Sequence, residues 1–267
     1  MADRTPEEIW HDGLDEGQRR LERSWPALAA TSFAGGADVM FGILAVAVAS
    51  AGLAAALPQP TAHVIASVFF GLGFAFIVIG RAELFTENFL IPVGAVFARR
   101  APVPPLVRMW VVTLVLNFAG LALIATIASV KGVLPPGSLH AVGVVANTLS
   151  DRSFLAALMS ALLAGVVMTA FTWIVTAAES ATGRILAALL VGFLLAAPVL
   201  NHAVVGFGEM FLGLLGGTTH ATWGDLARNV SIAVLGNLIG GVGLVFSTRL
   251  AQVSGDEGAR GNGRQRQ

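Results

Sequence analysis

The chain has no cysteine, which excludes disulfides, thiolate nucleophiles and thiolate metal ligation. Charge is also scarce: 12% of residues are charged against 55% hydrophobic, and the net charge is zero. That leaves too little polar surface to wrap a soluble core. Residues 1–25 carry Asp3, Glu7, Glu8, Asp12, Asp15 and Glu16 and lack an apolar h-region, so no secretory signal is expected and the first span must direct insertion. There is no H-E-x-x-H helix, no phosphate loop and no basic patch built for nucleic acid. Gly206-Phe207-Gly208 is only a fragment of a dinucleotide fingerprint. Soluble-enzyme chemistry and nucleic-acid partners find no support, and nothing calls for a cofactor or a metal.

What is present is a series of apolar stretches near the roughly 20 residues a bilayer span needs. They predict an all-α polytopic membrane protein with three parts: an N-terminal amphipathic helix in 1–25, a six-span domain in 26–250 and a disordered tail in 251–267. Thr5-Pro6-Glu7-Glu8 reads as a helix start, with an N-cap Thr, Pro at the first position and Glu at the capping-box position. The helix it opens lies along a membrane surface, packs on a neighbouring subunit, or is simply solvated. Span one runs from Pro26 to Pro58 with Asp38 inside it, and span three from Pro104 to Lys131. A loop through Pro135-Pro136-Gly137 and Asn147–Ser153 follows, then span four at Phe154–Ala178. The fifth span, Ile185 to Gly217, is interrupted at Asn201-His202, and the sixth is Arg228–Leu250. Arginines at 4, 19, 20, 23, 99, 100, 108 and 184 and in the C-terminal cluster fall on one side, which by the positive-inside rule puts both termini in the cytoplasm of a cell membrane.

The second span is the unusual one. Arg81-Ala82-Glu83-Leu84-Phe85-Thr86-Glu87-Asn88 separates the apolar Val64–Gly80 from Phe89–Ala98, a run too short to cross alone. One reading is a single helix with a charged break and a half-helix. The other is an ordinary loop followed by a re-entrant or interfacial segment. The second half of the chain repeats the pattern. Glu87-Asn88-Phe89-Leu90 is followed about thirty residues on by Asn117-Phe118-Ala119-Gly120, and Glu209-Met210-Phe211-Leu212 at nearly the same distance by Asn237-Leu238-Ile239-Gly240. Three spans per half make the repeat inverted, with broken second and fifth helices. Such a pair points to a solute site at mid-membrane.

Glu83-Leu84-Phe85-Thr86 after a Gly-rich helix, Trp110 with Asn117-Phe118-Ala119-Gly120, His202 in the second break, and Asn237-Leu238-Ile239-Gly240-Gly241 together resemble the formate/nitrite transporter family from Phe33 to Leu250. The resemblance implies an aquaporin-like protomer in a homopentamer, each with its own pore for small monovalent anions such as formate or nitrite, often with protons involved. The Asn-Pro-Ala boxes of true aquaporins are absent. By resemblance, Leu84, Phe85 and Thr86 flank the cytoplasmic constriction with Phe74 opposite, Phe70 and Leu195 line the periplasmic one, and His202 lies between. The chain departs from the family pattern where Asn201 stands for Glu, Gly206 and Gly165 stand for Asn, and Leu149 stands near the usual outer basic residue, leaving Arg152 or Lys131 as stand-ins.

Asp38, Arg81, Glu83, Glu87 and Glu209 add charge near membrane depth. Arg81 is expected to pair with Glu83, Glu87 or Asp38, since an unpaired ion there is costly. A proton relay from Asp38 or Glu87 towards the central chamber is the functional alternative. Glu87 and Glu209, related by the repeat, are candidate caps of the two half-helices. The function these features imply is a pH- or proton-linked channel or transporter for small weak-acid anions. The alternatives are a pore for neutral solutes or cations and a non-conducting membrane scaffold.

Overall fold

The computed structural model describes residues 4–264, with side chains to 255. The first helix, α1 (Pro6–Leu21), starts as its sequence predicts: Thr5 N–H donates to the Glu8 carboxylate (2.8 Å) and Glu8 N–H to Thr5 Oγ1 (3.4 Å). Its apolar face is covered by its own chain. Ile9, Trp10 and Leu14 pack on Leu90 and Ile91 of its own chain.

The membrane domain follows as α2 (Trp25–Leu53), α3 (Gln59–Gly80), α4 (Phe85–Phe97), α5 (Val103–Ser129), α6 (Ser138–Ser150), α7 (Phe154–Ala177), α8 (Ala181–Ala196), α9 (Ala203–Leu215) and α10 (Trp223–Leu238). A π-helical stretch, Ile239–Phe246, joins α10 to α11 (Ser247–Arg264) without a stop. Among the described residues, five helices are long and apolar enough to cross a membrane. The expected fifth span is the pair α8 and α9, each too short alone. The protein is a multi-pass membrane protein built from two matched halves.

Two elements differ from the sequence reading. Residues 138–150 form a helix where a loop is expected. Val142, Val145, Ala146 and Leu149 fall on one buried face, so the helix packs on α9 much as α1 packs on α4. The final helix runs to Arg264, into the segment whose composition predicts disorder; no proline interrupts it.

Backbone-on-backbone packing sets the two halves. A Cβ at Gly36 would stand 2.0 Å from the Asn117 carbonyl oxygen, and one at Gly165 would stand 2.2 Å from that of Asn237. Only glycine lets α2 approach α5, and α7 approach α10, this closely. This is why Gly165 cannot be the polar residue that the resemblance expects there.

Candidate functional site

Both helices that precede a break end the same way. Arg81 and Val199 take the left-handed conformation at φ 55° and 52°. The next N–H groups reach back five residues, Ala82 to Ile77 O (3.1 Å) and Leu200 to Leu195 O (2.9 Å). These are helix-terminating turns of the Schellman type, made here without glycine.

Each break then hangs on one asparagine. Asn117 Oδ1 accepts from Phe85 N–H (3.0 Å), and its Nδ2 donates to Ser32 O (2.6 Å) and Glu83 O (2.9 Å). Asn237 Oδ1 accepts from Ala203 N–H (2.9 Å), and its Nδ2 donates to Ala161 O (2.7 Å) and Asn201 O (3.1 Å). The clamps satisfy backbone groups that would otherwise be stranded away from water. They also fix the register of the repeat: Arg81 matches Val199, Glu83 matches Asn201, Leu84 matches His202 and Phe85 matches Ala203. Glu87 therefore matches Val205, and the pairing of Glu87 with Glu209 expected from the short motifs is four residues out. Neither carboxylate caps a half-helix. Glu87 lies inside a 3₁₀ turn, Phe85–Phe89, and Glu209 lies mid-way along α9.

Arginines brace both breaks from outside the motif. Arg23 Nη1 donates to Glu83 Oε1 (2.5 Å) and Thr31 Oγ1 (3.4 Å), while Thr31 O accepts from Glu83 N–H (3.0 Å). In the other half, Arg152 Nη1 donates to Ser160 Oγ (3.1 Å), which accepts from Asn201 N–H (3.0 Å). A second pair lies behind these, with Arg108 donating to Arg23 O (3.1 Å) and Arg228 to Arg152 O (3.1 Å). The first break has one more brace, because Arg20 Nη1 reaches Asn88 Oδ1 (3.2 Å) and Glu83 Oε2 (3.5 Å). Burial works against the charge on Arg20, yet Glu83, Glu87 and Glu16 together hold its pKa above the ordinary guanidinium value.

The expected Arg81 network does not form. Arg81 is exposed and makes no ion pair among the described residues, and Glu83 takes its cations from Arg20 and Arg23 instead. Asp38 is half-buried on α2 without an ion pair among the described residues, and Glu209 lines a separate cavity. Arg20, Arg23, Thr31 and Ser160 were not legible as site residues, and Arg152 was legible only as a stand-in for the usual outer basic residue. The N-terminal arginines carry a topological signal that hides a second use.

The two breaks meet at His202. Its ring caps α9: Nδ1 accepts from Val205 N–H (3.1 Å). A neutral ring whose Nδ1 is an acceptor carries its hydrogen on Nε2, and we assign that N–H as donor to Thr86 Oγ1, 2.7 Å away. His202 and Thr86 are both fully buried. Around them Leu84, Phe85, Phe70 and Leu195 are buried, and Phe74 stacks on Phe171 at 5.6 Å and meets Phe70 edge-on at 5.2 Å. Asn201 is spent on structure, accepting from Asn229 (3.0 Å) and donating to Ala157 O (3.3 Å). Leu84, Phe85, Phe70, Phe74 and Leu195 all belong to one buried apolar cluster.

Cavities approach from both sides. One of about 390 Å³ opens on the face that carries the chain termini and is lined by Arg20, Arg23, Glu83, Glu87 and Thr172 among others. A small one of about 10 Å³, room for about one water, lies on the opposite side against Ser50, His63 and Glu209.

Mirrored breaks, an apolar neck and a buried histidine define a membrane transport protein of helical inverted-repeat build. The formate/nitrite transporter family model matches residues 7–250, and the chain belongs to that family. It is 28% identical over 261 residues to the uncharacterized transporter YrhG of Bacillus subtilis, covering 92% of this chain and 93% of the relative. It is 25% identical over 254 residues to the formate channel BtFdhC of Bacillus thuringiensis, covering 92% and 94%. It is also 30% identical over 237 residues to a probable formate transporter of Methanothermobacter thermautotrophicus, covering 79% and 82%. The fold resembles that of an FNT family ion channel, with TM-score 0.75, 19% identity and coverage of 88% and 94%. It also resembles that of a pentameric formate channel, with TM-score 0.64, 19% identity and coverage of 82% and 94%.

Proposed function

We propose that this protein passes small monovalent weak-acid anions of the formate or nitrite type, together with a proton, through the neck at His202 and Thr86. The observation that carries this reading is the pair of clamped breaks delivering two buried hydrogen-bonding groups into a ring of phenylalanine and leucine. A bare anion loses its hydration in such a ring at large cost, whereas the neutral acid does not. His202 supplies a fixed N–H, and Thr86, whose oxygen takes that hydrogen bond, keeps its own O–H to offer a permeating carboxyl group. Adding a proton to Nδ1 would break the bond from Val205 that starts α9, so the ring serves as a donor in its neutral form. The formate channels among the relatives and fold neighbours support the substrate class, and the pentameric neighbour supports a homopentamer. The arginine distribution supports a cell-membrane protein with both termini in the cytoplasm.

Purified protein in liposomes is expected to move formate or nitrite faster as pH falls across about pH 8 to 5. His202→Ala, which removes the cap and the N–H, is expected to abolish that flux. No flux of either anion anywhere in the range refutes the proposal. A cation-selective reversal potential would instead favour the cation pore that the acidic residues suggest. Against that alternative, Glu83 is neutralised by two arginines.

A further inference from the structure

If His202 stays neutral, the proton that crosses with the anion must be exchanged elsewhere. The cavity on the terminal face holds six carboxyl groups. Four are already paired: Glu83 with Arg20 and Arg23, Glu16 with Arg19 and Arg20, Asp12 with Arg4, and Asp15 with Arg100. Glu179 is exposed at the rim. Glu87 is different. It is 6% exposed, and its Oε1 is buried with no hydrogen-bond partner among the described residues.

Its position is equally particular. Glu87 follows Thr86, the residue that touches His202, yet its own side chain lines the cavity. Thr172 holds its carbonyl oxygen at 3.3 Å, which keeps the backbone at this step fixed. One peptide unit thus separates a hydroxyl in the neck from a carboxyl in the vestibule. The charged groups that face it are Arg20 and Glu16 from α1, Arg23 from the α1–α2 link, and Arg81 and Glu83 from the break. Arg184 and Glu179 lie beyond on the α7–α8 side, with Arg184 donating to Ala178 O (3.2 Å). The guanidinium groups give a released anion a favourable place to stand, while none of them forms an ion pair with Glu87.

We infer that Glu87 is the proton-exchange site of the terminal-face mouth, taking the proton from a weak acid leaving the neck and returning it to one entering. The O–H bond of the neutral acid breaks, an O–H bond forms on the Glu87 carboxylate, and the permeant departs as its anion. Water in the cavity then takes the proton from Glu87, so one proton moves with each anion. The inference rests on the proposed weak-acid permeation and names where its proton goes.

The test uses full-length protein in liposomes with an internal pH dye and a formate gradient. Glu87→Gln should slow proton-coupled formate flux by on the order of tenfold or more and flatten its pH profile, while Glu87→Asp should restore both. A Gln variant with wild-type rate and profile overturns the inference while leaving weak-acid permeation intact. Infrared titration gives a readout independent of transport. A protonating carboxyl band should be present in the wild type, absent in Glu87→Gln and retained in Glu209→Gln, whose carboxyl lines the opposite cavity. If the wild type carries no formate, the proposed function fails and this band alone decides whether Glu87 binds a proton. If Glu87→Gln does not assemble, a band left undisplaced in Glu87→Asp overturns the assignment.

Discussion

The first break carries a carboxylate held by two arginines where the second carries an amide held by an asparagine and a backbone carbonyl. Both are hung from the same asparagine clamp and entered through the same left-handed turn. At the following position the difference reverses, with Leu84 in the first break and His202 in the second. Charge therefore sits on the vestibule side of one break and a neutral donor sits in the neck of the other. The frame was kept identical where backbone groups had to be satisfied. It diverged at the side chains, Glu83 against Asn201 and Leu84 against His202.

Breaking the clamps should have the largest effect. Asn117→Leu and Asn237→Leu each strand an N–H and the break's own carbonyl, Glu83 O or Asn201 O, at about 1–3 kcal/mol per group, so each should lower thermal stability in detergent by several kcal/mol. Equal losses support the mirrored frame, and a near-neutral result at either site dismantles it. Next is Glu83→Ala, which leaves Arg23 facing the cavity without its counter-ion and Arg20 with Glu16 alone. Those guanidiniums are partly wetted, so the expected cost is about 2 kcal/mol, below that of a fully buried pair. Asn201→Ala removes no charge and should cost less, and the same denaturation curves show whether the order holds.

The left-handed residues give a smaller contrast. Val199 is β-branched and Arg81 is not, so Val199→Gly should gain about 0.5–1 kcal/mol and Arg81→Gly less. A loss at Val199 would mean that its packing outweighs the strain. The weakest effect is on pH dependence. Burial pushes the Glu16 carboxyl up, but Arg20, Arg19 and Arg23 bring it below its ordinary value. Its contribution to docking α1 is present above the unfolded pKa of about 4.3 and is lost as pH falls through the lower folded one. Hydrogen exchange in α1 should rise only below that range, and Glu16→Gln should remove the step.

Much of this was legible in the sequence. Run lengths located both breaks, and the Asn117 and Asn237 motifs marked the repeat, while their clamping role came only with the hydrogen bonds. The exact register was not legible. Glu-x-Phe-Leu resemblances span positions where no shared geometry constrains them, and only the hydrogen bonds match Glu83 to Asn201. Helix α6 was hidden because the Pro135-Pro136-Gly137 turn before it and the polar Asn147–Ser153 stretch at its end read together as one loop, although every third or fourth residue between them is apolar. The partners of Glu83 lie some sixty residues away, and nothing local distinguishes Arg20 and Arg23 from the other arginines around them.

The double duty of the His202 ring limits what can replace it. An apolar substitute would vacate the neck and unfasten the start of α9 together, so a dead variant of that kind cannot say which loss mattered. His202→Asn keeps an acceptor for Val205 on a shorter side chain that stops short of Thr86. It separates anchoring from passage in one molecule: a well-folded but silent His202→Asn protein assigns the loss to the missing donor, and a conducting one shows that the imidazole was needed only as a fastening.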